Sequence, residues 1–240
     1  MESSQYETRD RQRFFFHATP LRRFIVALAR LIFRLFMKME VVGLENFPLG
    51  GPVIVAANHV TNFDVFPMQL SLPRPIFFMS KAELFRVPVV EAVFRNLGAF
   101  PVLRGGRDEW ARAHAARVLE HGQTLGMFPE GTRSRGRGLA VAKTGSARLA
   151  IETGCPLVPM AIIGTDRFFR NFPRRTRVTV CLLPPLLPRA LDTPISLTER
   201  LMFTLAASLP PDMRGVYAEM PQGFKIQSDV RASASTQPHT

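Results

Sequence analysis

Cysteine, lysine and tryptophan are scarce in this chain, and it has no long uninterrupted apolar run. The two cysteines, Cys155 and Cys181, cannot build a disulfide framework, and neither belongs to a C-x-x-C pair. A reducing, cytoplasmic setting is expected. No serine stands in a G-x-S-x-G elbow, so the marker of a serine acyl-enzyme is missing. Metal-ligand spacing is missing too: His114 and His121 lie seven apart on one predicted helix, and His17 and His239 fall in terminal segments. Residues 1–13 are polar, and the apolar stretch after them carries arginines and no small-residue cleavage site, which speaks against a signal peptide.

Acidic residues are also few. Lys and Arg number 31 against 19 Asp and Glu over 240 residues, a net charge of +12. Lysine occurs only at Lys38, Lys81, Lys143 and Lys225, so the charge is mostly arginine. Such a balance calls for an anionic partner: nucleic acid, anionic lipid or a phosphorylated substrate. Arginine suits bidentate contact with phosphate. Neither a basic recognition helix nor an aromatic-interleaved RNA motif is found, so nucleic acid is not the expected partner.

After Phe14-Phe15-Phe16 and Pro20, the segment Leu21–Met39 places Arg23, Ala27, Arg30, Arg34 and Lys38 on one helical stripe, with large apolar residues covering the remainder. Its nineteen residues would measure roughly 28 Å, almost a bilayer core. A central Arg costs about 2.5–3.5 kcal/mol, whereas each large apolar residue returns about 0.3–0.6. Arg30 and Arg34 therefore favour a helix lying in the membrane interface over one crossing it. The bland alternative is an amphipathic helix packed on the protein's own core.

From residue 41 to about 210, strand-like and helix-like segments alternate. The pattern predicts an α/β domain with a largely parallel, mixed sheet flanked by helices. Strands are expected at Val41–Leu44, Val53–Ala57, Ile76–Met79, Gly98–Leu103, Thr124–Phe128, Pro156–Gly164 and Arg177–Leu183. Helices are expected at Asp64–Leu70, Glu83–Leu97, Asp108–His121, Lys143–Thr153 and Ser196–Ser208. The expected organisation is a tail and membrane-associating helix over 1–40, the α/β domain over 41–215, and a disordered tail over 216–240.

Ligands on such sheets bind in loops beyond the carboxyl ends of the strands. Three loops have suitable residues. The first follows Val53–Ala57 and holds Asn58, His59 and Asp64. A histidine removes a proton near neutral pH, and a carboxylate on its other nitrogen fixes the tautomer. On a continuous helix, five positions would set the two side chains about 140° apart, so the pair needs a turn between them. Alone, H-x-x-x-x-D is more often a surface histidine beside a capping aspartate. The second loop holds Arg104 and Arg107. The third, Phe128–Ser134, holds an acid, a glycine that lets main chain approach a ligand, and Arg133. A solvated arginine-rich loop is the other reading, favoured for Arg135 and Arg137.

Asn58-His59 through Asp64, Gly98–Arg104, Phe128–Ser134 and Val158-Pro159 resemble, in order and spacing, the four motifs of the 1-acylglycerol-3-phosphate acyltransferases. Ser80–Leu84 and Lys143-Thr144-Gly145 look like that family's connecting segments, and the resemblance covers roughly residues 40–190. It implies transfer of a fatty acyl group from acyl-CoA or acyl carrier protein to the hydroxyl of 1-acylglycerol 3-phosphate. His59 would be the base and Asp64 its orienting acid. Lys81, Arg104, Glu130, Gly131, Thr132 and Arg133 would form the phosphate site, with Glu130 holding an arginine or contacting an acceptor hydroxyl. No metal or redox cofactor is implied. The expected partners are anionic membrane lipid, the acyl donor and a lysophospholipid acceptor, at the cytoplasmic face of the membrane, peripherally or monotopically. Where the family often has Phe-Lys, this chain reads Val141-Ala142-Lys143. Sister enzymes accept other lysolipids, and the charge alone would also suit a non-catalytic lipid- or nucleic-acid-binding protein.

Overall fold

Seven strands form one sheet in the order β1-β7-β6-β2-β5-β3-β4. The computed structural model describes residues 9, 11–103, 108–168, 174–221 and 224. The strands are β1 (Met37–Val42), β2 (Val53–Ala57), β3 (Ile76–Lys81), β4 (Ala99–Val102), β5 (Thr124–Met127), β6 (Leu157–Ile163) and β7 (Thr176–Leu182). β2, β3, β4, β5 and β6 are mutually parallel. β7 runs antiparallel to β6, and β1 runs parallel to β7. The sheet is thus largely parallel and mixed, as the sequence pattern predicts.

β2 sits at the centre, and all five of its residues are fully buried. Side chains alternate between faces. Ile54 and Ala56 enter one core with Phe77, Phe100, Leu125 and Leu157. Val53, Val55 and Ala57 enter the other with Phe78, Val158, Met160 and Val180. A strand buried on both sides must be apolar at every position, which is why Val53–Ala57 shows no alternation.

The flanking helices are α1 (Pro20–Phe36), α2 (Val65–Ser71), α3 (Pro88–Asn96), α4 (Glu109–Glu120), α5 (Gly145–Thr153) and α6 (Pro194–Ala207). α4, α5 and α6 cover the first core: Ala115 and Val118, Ala147 and Ala150, and Leu197 and Leu201 are buried in it. α1 and α2 cover the second through Phe33 and Met68.

Two expected elements differ. The helix expected over Glu83–Leu97 is two pieces, a 3₁₀ turn at Ala82–Arg86 and then α3. Pro88 disfavours helical backbone in the residue before it, and Val87 is extended at φ −95°, ψ 115°. Pro88 then opens α3, where its missing N–H costs nothing. The basic segment is helical only to Phe36; Met37 leaves the helix and begins β1, which runs past the expected start at Val41.

α1 is capped by Thr19, whose hydroxyl accepts from the Arg22 N–H at 3.2 Å. Of its residues only Phe33 is buried. Leu21, Phe24, Leu28, Leu31, Ile32 and Leu35 are exposed, as are Arg23, Arg30 and Arg34. Among the described residues no helix is long and apolar enough to cross a membrane. At the other end, Gly215–Tyr217 makes a 3₁₀ turn, and the Tyr217 hydroxyl accepts from the Ala142 N–H at 3.1 Å. Phe224 packs on Phe203. Packed chain therefore continues beyond residue 215.

Candidate active site

The parallel strands bring their carboxyl ends to one edge, so the segments after β2, β5 and β6 are neighbours there. At the end of β2, Asn58 replaces backbone ladder bonds with its side chain. Its amide donates to the Ile162 carbonyl at 2.9 Å and accepts from the Ile162 N–H at 2.7 Å. This fixes the next residue, His59, at the centre of the edge.

The chain then turns back over Thr61–Asp64. Asp64 is the residue before α2, yet its carboxylate does not cap that helix. It is fully buried and faces the His59 loop. Oδ2 accepts from Val60 N–H at 2.6 Å and Thr61 N–H at 2.8 Å, and lies 2.9 Å from His59 Nδ1. Oδ1 accepts from the hydroxyls of Thr61 and Thr165. Every neighbour donates, which suits an ionised carboxylate. The His59 proton therefore sits on Nδ1, and Nε2 keeps its lone pair. The ring is mostly buried and stacks on Phe128 at 4.1 Å between centroids.

Glu130 follows β5, the strand beside β2. It is 3% exposed. One carboxylate oxygen accepts from the His59 N–H at 2.8 Å, and the other from the Ala140 N–H at 2.9 Å. Burial raises its pKa, and the two N–H donors, Ala140 and His59, oppose that rise. Both oxygens are thus directed at the chain's own backbone. Among the described residues Glu130 meets no arginine; its two oxygens hold the main chain of His59 and Ala140. The same loop is tied to the His59 segment twice more, by Ser134 N–H to the His59 carbonyl at 2.7 Å and Arg135 N–H to the Val60 carbonyl at 3.3 Å.

Gly131 adopts φ +65°, and a Cβ there would lie 3.1–3.3 Å from the Lys143 side chain. The positive φ favours glycine here, and any side chain would also push the end of Lys143 aside by a few tenths of an ångström. Thr132 is exposed and Arg133 half-buried in the same turn. Lys81 ends β3, two strands from β2 on the same edge, and is half-buried. Arg104 lies outside the described residues. Val158 and Pro159 are buried inside β6, away from this edge; Val158 pairs with Val55 and Pro159 with Ala56.

Thr165 escapes sequence reasoning, and Lys143 is read there only as part of a connecting segment. Thr165 is buried and holds the second oxygen of Asp64, though 101 residues separate them. Lys143 reaches Gly131. The cysteines stand apart. Cys155 is buried before β6 at the opposite edge, its sulfur accepting from the Thr153 hydroxyl, and Cys181 lies within β7. Burial raises the pKa of both thiols. Among the described residues no His, Cys, Asp and Glu group could hold a metal ion.

A carboxylate-oriented histidine at the carboxyl edge of an α/β sheet, beside a glycine- and arginine-bearing loop, fits proton removal from an acceptor next to an anionic group. The model of the Acyltransferase family matches residues 38–163, and the chain belongs to that family. The 1-acyl-sn-glycerol-3-phosphate acyltransferase of Borreliella burgdorferi is 34% identical over 135 residues, which is 55% of this chain and 54% of that one. The enzyme of the same name from Escherichia coli is 33% identical over 141 residues, 57% of each chain. The match thus spans little more than half the length of these relatives. The crystal structure of the 1-acyl-sn-glycerophosphate (LPA) acyltransferase PlsC from Thermotoga maritima is similar with a TM-score of 0.65 at 29% identity, covering 78% of this chain and 77% of that one.

Proposed function

We propose that this acyltransferase moves a fatty acyl group from a thioester donor, acyl-CoA or acyl carrier protein, to the free hydroxyl of 1-acylglycerol 3-phosphate, giving phosphatidic acid. The observation that carries this reading is the His59–Asp64 contact at the carboxyl edge, with Nδ1 engaged and Nε2 free to act. His59 Nε2 takes the acceptor's hydroxyl proton as the oxygen attacks the thioester carbonyl. A C–O bond forms, the tetrahedral oxyanion collapses, and the C–S bond breaks. The leaving thiolate takes the proton back from the imidazolium, which Asp64 stabilises in the meantime. No acyl-enzyme is needed.

Arg133 and Lys81, with Arg104, are the candidate phosphate ligands, and Lys143 joins them through its place over Gly131. Glu130 acts as a positioning residue. The acceptor reaches the site from a membrane at the cytoplasmic face, on which α1 lies with its apolar residues among acyl chains and its arginines among anionic headgroups. Six exposed large apolar residues on one helix beside Arg23, Arg30 and Arg34 support this docking.

The test is a panel of acceptors offered with acyl-CoA to the purified protein: lysophosphatidate, other lysophospholipids and phosphate-free monoacylglycerol. Preferred acylation of lysophosphatidate is expected. Preference for a phosphate-free acceptor would overturn the phosphate assignment.

A further inference from the structure

At the edge of the sheet opposite His59, a cavity of about 430 Å³ opens between the N-terminal segment, the start of α1 and the start of β3. Its volume falls within the range of ligand sites, ~300–1,000 Å³. Phe16 and Phe77, with ring centroids 4.2 Å apart and planes tilted by 32°, form the apolar wall. Arg13, His17, Arg22 and Arg95 also line it, and among the described residues no carboxylate does. Phe77 stands four residues before Lys81 in β3, which sets it roughly 13 Å along the strand from the catalytic edge.

The cations are unequally satisfied. Arg95 pairs with Glu91 at 2.8 Å, and Glu91 also meets Arg11 at 3.6 Å. Among the described residues, Arg13 and Arg22 meet no carboxylate. The Arg22 Nε is buried without a hydrogen-bond partner, while its guanidinium lies 4.6 Å over the Phe16 ring. Burial, and then the charge of Arg30, lower the Arg22 pKa, a direction that an anion beside it would reverse. The first turn of α1 also opens on the cavity through Thr19, Leu21 and Arg22, and a helix N-terminus carries positive partial charge.

The surroundings identify the anion's carrier. Phe15 and Leu21, which line the cavity, are each more than half exposed, as is Phe24 further along α1. From there α1 runs to Phe33, which stacks on Phe66 at 4.0 Å, two residues past Asp64. A single helix thus joins the cavity to the catalytic loop along a surface of exposed apolar residues.

We propose that this cavity is a second phosphate-binding site, separate from the His59 loop, which takes the headgroup phosphate of an anionic phospholipid whose acyl chains lie along α1. It deepens the membrane-docking reading and rests on it for the source of the phosphate. Anchoring the first turn of α1 sets the height of the catalytic edge above the lipid surface.

The test is co-sedimentation of the full chain with phosphatidylcholine vesicles, with and without phosphatidic acid. The pocket double variant Arg13→Gln/Arg22→Gln is compared with Arg112→Gln/Arg148→Gln, which removes equal charge from exposed positions of α4 and α5, on the other face of the sheet from α1. The pocket double should bind anionic vesicles at least about tenfold more weakly, the other double within about threefold of the native chain, and all three equally on pure phosphatidylcholine. Arg22→Lys, which keeps the charge, should retain most of the binding. Equal losses in the two doubles, or none in either, overturn the site. Inorganic phosphate at matched ionic strength is the second arm. If it raises the unfolding temperature of the native chain and not of the pocket double, while vesicle binding is unchanged, the site serves free phosphate and the lipid assignment fails. Vesicle binding is read without turnover, so its failure leaves the acyl-transfer reading standing.

Discussion

The Glu130 carboxylate accepts a hydrogen bond from the main-chain N–H of His59 at 2.8 Å, across 71 residues of sequence. Its other oxygen reaches Ala140, so one buried acid clamps the histidine loop to the loop after β5. Substrate need not touch Glu130 for it to matter.

Replacing Glu130 with Gln keeps the shape but turns one end into a donor that faces a backbone N–H. Leaving one buried donor unsatisfied costs about 1–3 kcal/mol. At about 2–4 °C per kcal/mol for a chain of this size, the unfolding midpoint should fall by roughly 2–12 °C. kcat should fall about tenfold with KM for the acceptor nearly unchanged. A KM effect alone, with native kcat and stability, would show that Glu130 binds substrate instead.

Thr165 donates to Asp64 from beyond β6. Thr165→Val removes the donor and keeps the shape, and kcat should fall about fivefold, the effect of roughly 1 kcal/mol. Thr165→Ser should restore it. If Val and Ser behave alike, the hydroxyl does not serve Asp64.

These two residues show where sequence reasoning ends. The His59–Asp64 pair is legible because five positions with an intervening turn bring the side chains together locally. Thr165 reaches Asp64 only because β6 packs beside β2, and no spacing reveals that adjacency. Glu130 stands in a recognisable loop, but its inward direction depends on β5 flanking β2 on the other side. The alternation of strands and helices predicts the sheet well. The helix over Glu83–Leu97 is misread because Pro88 is compatible with a helix start, and Val87 decides that it is one.

Arg133→Ala should act on recognition. A charge-assisted hydrogen bond contributes about 1.5–3 kcal/mol, so kcat/KM for lysophosphatidate should fall about 10–100-fold, mainly through KM. The loss should shrink on an acceptor without phosphate. Equal losses on both acceptors would count against phosphate contact.

His114 gives a pH test of the fold. It is 4% exposed and packs against Phe14, Phe100 and Trp110. Burial, and then nearby Arg95, lower its pKa from 6.5 to about 4, with Arg117 adding to the effect and a backbone hydrogen bond to Arg13 opposing it. The neutral form is the one the fold accepts. Its contribution is complete above pH 6.5 and is lost as pH falls from there towards about 4. His114→Phe should therefore lose less stability than the native chain between these values, visible as a difference of several degrees in unfolding midpoint. Parallel curves would mean that His114 does not govern this range.

His59 bears the central claim, and turnover of lysophosphatidate with acyl-CoA by His59→Ala tests it most directly. The dyad predicts a fall in kcat of about 10²–10⁴, the usual contribution of a positioned base, in a variant that unfolds at the temperature of the native chain. Turnover within a few-fold of native in that variant would contradict it.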